Sequence, residues 1–111
     1  MTQLTLNFAQ GSVSFNFTPE AAQNLKAEIN QLMDRLKTLA AQPVTPGRKQ
    51  PQAPMEYRHN GDVFLEIFCN PNIYASPFAA KVLVTLKSDR LRLSTEAELT
   101  RVIEDLNAYL G

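Results

Sequence analysis

The sequence predicts an α+β domain spanning residues 1–111, in which two amphipathic helices pack on one face of a mostly antiparallel sheet. The expected sheet has four to six strands, and the element order is ββα-βββ(β)α. Three observations carry this reading. Short runs at the start and in the middle of the chain alternate apolar and polar residues with the period of a half-buried strand. Two longer runs repeat apolar residues at spacings of three and four, the period of a helix with one buried stripe. Turn residues, Gln10-Gly11, Asn60-Gly61 and Ser88-Asp89, separate the strand-like runs. A chain of 111 residues, 44% hydrophobic and 20% charged, is long enough to close one core without staples or metal.

Leu4, Leu6 and Phe8 alternate with Thr5 and Asn7, and Val13, Phe15 and Phe17 alternate with Ser14 and Asn16, which predicts a hairpin over 3–9 and 12–17. Thr18-Pro19-Glu20 then opens a helix: a threonine hydroxyl can accept from a free N–H, proline suits the first helical position, and a carboxylate complements the helix dipole. Ala22, Leu25, Ile29, Leu32, Leu36 and Leu39 form its buried stripe. Residues 42–55 hold four prolines and almost no apolar side chains, which predicts a mobile loop carrying the basic pair Arg48-Lys49.

Asn60-Gly61 predicts a second hairpin, from Glu56–His59 into a strand in which Val63, Leu65, Ile67 and Cys69 share one face and Phe64, Glu66 and Phe68 the other. Both faces are partly apolar, so this strand belongs in the centre of the sheet. A strand over 81–86 points Val82, Val84 and Leu86 inward, and Arg90 to Leu93 alternates again. The Thr95-x-x-Glu98 spacing reads as a capping box ahead of a helix striped by Leu99, Val102, Ile103, Leu106 and Leu110. On that reading Glu96, Glu98, Glu104 and Asp105 fall on its solvent side or at its cap.

Lys and Arg number 11, Asp and Glu number 11, so the chain lacks the summed positive field of a general nucleic-acid or anionic-membrane binder. The single cysteine excludes an internal disulfide, and no signal-peptide or membrane-spanning run is visible, so the expected location is cytoplasmic. One histidine, His59, and one cysteine, Cys69, cannot supply a usual zinc ligand set, and as a nucleophilic pair they lack the convergence such chemistry needs. The four glycines stand apart, so no phosphate-cradling loop exists. No catalytic, cofactor-binding or metal-binding residue is expected, nor is enzymatic activity.

The candidate residues are therefore contact residues. Asn70 to Phe78 is a loop by its prolines and asparagines, yet it carries Ile73, Tyr74 and Phe78. Aromatics in loops are favoured interface anchors, although Phe78 in particular is expected to fold back and plug the open end of the sheet. Residues 81–92 carry a local excess of positive charge, so Arg58, Lys81, Arg90 and Arg92 are expected to form a basic patch on the outer side of the sheet, where it could steer an acidic partner. Phe64 and Phe68 would share that side.

The stretch LEIFCNPNIYASPFAAKVLVTLKSDRLRLSTEAELTRVIEDLNAYL resembles small proteins shared by cyanobacteria and plastids, and in size and element order the chain is similar to the V subunits of the photosynthetic NDH complex. The resemblance implies a cofactor-free peripheral subunit near the ferredoxin-binding end of a thylakoid oxidoreductase. It implies as partner an acidic electron carrier such as ferredoxin, or neighbouring subunits of a membrane complex. The leading expectation is thus a non-enzymatic interaction protein, an accessory subunit or assembly factor on the cytoplasmic face of that membrane. Two rivals remain open. One is a single-stranded nucleic-acid binder stacking bases on Phe64 and Phe68 beside Lys81, Arg90 and Arg92. The other is a small-ligand domain with its site under the Pro-rich loop.

Overall fold

A computed structural model describes residues 3–42 and 50–111. Strand β1 (Gln3–Phe8) pairs antiparallel with β2 (Gly11–Asn16), so that Leu4 lies opposite Phe15 and Leu6 opposite Val13. Leu4, Leu6 and Phe15 are buried, and on the other side the hydroxyls of Thr5 and Ser14 meet at 2.6 Å. The two-residue loop is Ala9-Gln10; Gly11 opens β2 instead of sitting in the turn.

Helix α1 (Pro19–Ala41) begins as its sequence predicts: Thr18 is the N-cap, and its Oγ1 accepts from the Ala21 N–H at 3.1 Å. All six residues of the expected stripe, Ala22 to Leu39, are buried. Of the Pro-rich stretch, residues 43–49 with Arg48-Lys49 lie outside the described residues. The residues on either side are tied down by amide side chains. Gln42 donates to the Gln50 carbonyl and accepts from the Gln50 N–H, and Asn72 does the same for Gln52.

Strands β3 (Met55–Asn60), β4 (Phe64–Cys69), β5 (Lys81–Lys87) and β6 (Arg92–Glu98) form an antiparallel meander in that spatial order, with β4 central as predicted. Leu65, Ile67, Cys69, Val82, Val84 and Leu86 point into the core shared with both helices and the first hairpin. In the β3–β4 turn, a Cβ on Gly61 would meet His59 Nε2 at 2.8 Å, so a side chain there would have to shift the imidazole. The segment from β4 to β5 holds two single 3-10 turns, Pro71–Ile73 and Pro77–Ala79.

Helix α2 (Leu99–Leu110) starts directly at the end of β6. Thr95 and Glu98 are strand residues and form no capping box; Glu98 is the N-cap by position, with no side-chain bond. The reason is the ladder. Thr95 lies opposite Val84 and Ala97 opposite Val82, and the Leu99 N–H, the first of the helix, donates across to the Ala80 carbonyl at 3.0 Å. That bond satisfies the first of the helix's free N–H groups through the backbone.

The six strands form two sheets, of two and four strands, where the sequence reading drew one. The division has a physical cause in Asp105, which the sequence reading placed on the solvent side of the last helix. It is buried, and its two oxygens accept from the Asn7 N–H and the Asn7 side-chain amide, both at 2.8 Å. The Asn7 N–H points away from β2, so a side chain of α2 occupies the backbone position that a neighbouring strand would need. Phe17 closes the other end of the seam, with its ring edge-on to those of Phe15, His59 and Tyr109 and its carbonyl accepting from the Tyr109 hydroxyl.

A candidate interaction face on the four-stranded sheet

Both helices bury their stripes in the core that the sheet's inner residues line, so among the described residues no helix covers the outer face. The registers arrange that face in cross-strand rows. One row runs Glu56, Phe68, Leu83, Glu96; the next Arg58, Glu66, Thr85, Ser94; the third Asn60, Phe64, Lys87, Arg92. Beyond the first row, Lys81 lies opposite Glu98. Leu83 is 43% exposed, and Phe64 and Phe68 are half-buried beside it.

The seven expected contact residues are not one site. Arg58 is engaged within the face: its Nε lies 2.6 Å from Glu66 Oε2, and this pairing raises the guanidinium pKa above its usual value. Lys81 and Lys87 stand at opposite ends of β5, about 20 Å apart at strand rise. What gathers at the β5–β6 turn is Arg90 and Arg92 with Lys87, whose Nζ lies 5.2 Å from the centroid of the Phe64 ring. Four carboxylates and four cations share the whole face, which therefore sums to zero: Glu56, Glu66, Glu96 and Glu98 against Arg58, Lys81, Lys87 and Arg92. A base stacking on Phe64 would have to displace Lys87, and a nucleic-acid backbone would meet those carboxylates.

In the 70–78 loop, Phe78 departs from its expected place. Phe78 is 84% exposed and plugs nothing, because the turn Pro77–Ala79 ends in Ala80, which takes the buried place. Pro71 is buried and Tyr74 packs against the core, its hydroxyl pKa raised mainly by burial. Ile73, like Phe78, is exposed. Leu91, expected inward, is exposed in the turn before β6.

His59 and Cys69 do not form a dyad. Cys69 lies opposite Met55, so His59 is four residues along β3, about 13 Å away. Burial pushes the Cys69 thiol up to about 11, far from thiolate character at neutral pH. Among the described residues no three of His, Cys, Asp and Glu converge as metal ligands. A cleft of about 550 Å³ opens between the end of β1, β6 and the first turn of α2. Asn7, Lys81, Glu96, Glu98 and Arg101 line it, and residues 50–55 do not. No described helix is long and apolar enough to cross a membrane. No protein-family model, curated protein or solved structure matches the chain.

Proposed function

We propose that the chain is a non-enzymatic interaction protein, an accessory subunit or assembly factor, that docks through the outer face of its four-stranded sheet. The observation that carries this reading is a sheet face that no described helix covers, on which Phe68 and Leu83 lie on one side of the Arg58–Glu66 row and Phe64 on the other. Apolar and charged side chains alternate over this face, the mixed composition of a non-obligate protein contact. At the β5–β6 end Lys87, Arg90 and Arg92 favour an acidic surface on the partner, with a gain in association rate more than in affinity. The resemblance to V subunits of the photosynthetic NDH complex supports ferredoxin or neighbouring subunits of that complex as the acidic partner, reached at the cytoplasmic face of the thylakoid.

Affinity capture from the native host, run in parallel with wild type and Leu83→Glu, tests the reading. A partner retained by wild type and lost by the variant, with unchanged melting, is the expected result. Partners retained equally by both proteins would move the contact off this face.

A further inference from the structure

The first hairpin differs from the rest of the chain in charge. Residues 1–19 hold no charged side chain, and all 11 acids and all 11 bases lie from Glu20 onward. That difference falls on a strand edge. Asn7 gives its N–H to Asp105, away from β2, so its cross-strand neighbour Ser12 also points its N–H and C=O away from β1. Ser14 and Asn16 follow with the strand period of two. Among the described residues none of these backbone groups finds a partner, and the side chains of Ser12, Ser14 and Asn16 are exposed. The other edge strands are guarded in ways that discourage a further strand. Asp105 sits on β1, β3 carries Glu56 and Arg58, and β6 carries Arg92, Glu96 and Glu98. Strand β2 has no charge, no proline and no bulge along Gly11–Asn16. Val13, at the rim of the core, is left half-buried.

Unpaired main-chain groups at strand spacing are matched by another extended strand, and an uncharged edge is matched by an uncharged one. The chain displays such a strand itself. We infer that β2 pairs antiparallel with β2 of a second copy, joining the two hairpins into one sheet about a two-fold axis at Ser14. The register follows from the outward groups. With Ser14 opposite Ser14 of the second copy, Ser12 meets its Asn16, and every outward N–H and C=O of these residues is paired. Centring on Val13 leaves Asn16 unpaired, and centring on Phe15 leaves Ser12 unpaired. In the Ser14 register Val13 lies opposite Phe15 of the second copy on the core side, so the half-buried rim gains an apolar cross-strand neighbour. The solvent side brings together only hydroxyls and amides, so no like charges meet. Each β1 edge stays guarded by Asp105, and the assembly closes at two copies. One strand pair rests mainly on main-chain bonds, so the dimer is a weak one, in the range from about 1 μM to about 1 mM. It uses a different sheet from the proposed docking face and does not depend on that reading.

The residue on the axis supplies the test. In sedimentation equilibrium the full wild-type chain should rise from 12.4 kDa toward twice that mass with concentration. Ser14→Lys and Ser14→Glu each set like charges face to face on the axis and should weaken association by about tenfold or more. An equimolar mixture of the two variants sets Lys against Glu and should dimerise about as well as wild type. Amide exchange gives a readout without mutation, should a variant fail to fold: the Ser12, Ser14 and Asn16 N–H groups of wild type should exchange more slowly as concentration rises. Wild type that remains at 12.4 kDa up to about 1 mM overturns the inference. So does exchange at those amides that ignores concentration, or a mixture of folded variants that stays monomeric. A dimer that persists in each variant alone places the contact elsewhere and overturns it too. Slowing of those amides only when a different protein is added would assign the edge to that protein's strand and remove the second copy.

Discussion

The two sides of the four-stranded sheet use the same strands for opposite purposes. On the inner side Leu65, Ile67, Val82 and Val84 are each at most 1% exposed and meet residues from both helices and the first hairpin. On the outer side the same strands present Phe64, Phe68 and Leu83 among eight charges, and among the described residues their partners are neighbours within the sheet. The inner side is specified by volume and tolerates little change. The outer side is specified by the layout of charge, which costs the fold little to alter. Stability and recognition are therefore separable in this protein, and substitutions on the two sides should report different quantities.

The largest effect is expected on the inner side. Ile67→Ala removes three heavy side-chain atoms from a packed site and should destabilise the protein by about 2–5 kcal/mol, read from urea unfolding. A loss below about 1 kcal/mol would mean that the core is looser than this packing implies. Next comes the seam between α2 and β1. Asp105→Ala leaves the Asn7 N–H and amide without their acceptors and should cost about 1–3 kcal/mol. It should also speed amide exchange at Asn7, and unchanged exchange there would show that the carboxylate does not guard the β1 edge.

Alkaline pH probes the inner side without mutation. Burial, with a smaller contribution from Glu28, raises the Tyr57 hydroxyl to about 12 from 10.0, and burial raises Cys69 to about 11 from 9.0. Each group holds its proton more tightly in the folded chain than in the unfolded one. Their contribution is whole below pH 9 and is lost as pH rises from 9 through 12. Denaturant midpoints should fall across that window, and Cys69 should react with a thiol reagent only as the protein unfolds. Rapid labelling of the native protein at neutral pH would contradict its burial.

The smallest effect belongs to the outer side. Arg58 and Glu66 form a close pair, but the arginine is mostly exposed, and solvent screening leaves such pairs little net stabilisation. Arg58→Gln should shift thermal unfolding barely, and less still at high salt. A shift as large as that of Asp105→Ala would erase the distinction between the two sides.

The strands of the first hairpin, the stripe of α1, its threonine cap and the central place of β4 were legible because each is written in local spacing. Period 2 and period 3.6 decide which side chains share a face before any tertiary contact forms. Other features depend on what lies opposite. Thr95 and Glu98 carry the spacing of a capping box, but Val82 and Val84 offer them a ladder, and backbone pairing across the sheet prevails. Asp105 reads as one more helix-surface acid until Asn7, distant in sequence, is folded against it. Arg58 reads as a free cation until the register brings Glu66 beside it. The sequence by itself determined the main strands and helices, their order and the apolar stripes of the first hairpin, α1 and β4, because those follow from near-neighbour periodicity. Only the tertiary structure decided how the strands divide into two sheets, which charges cancel and which face stays open, because these depend on contacts between residues far apart in the chain.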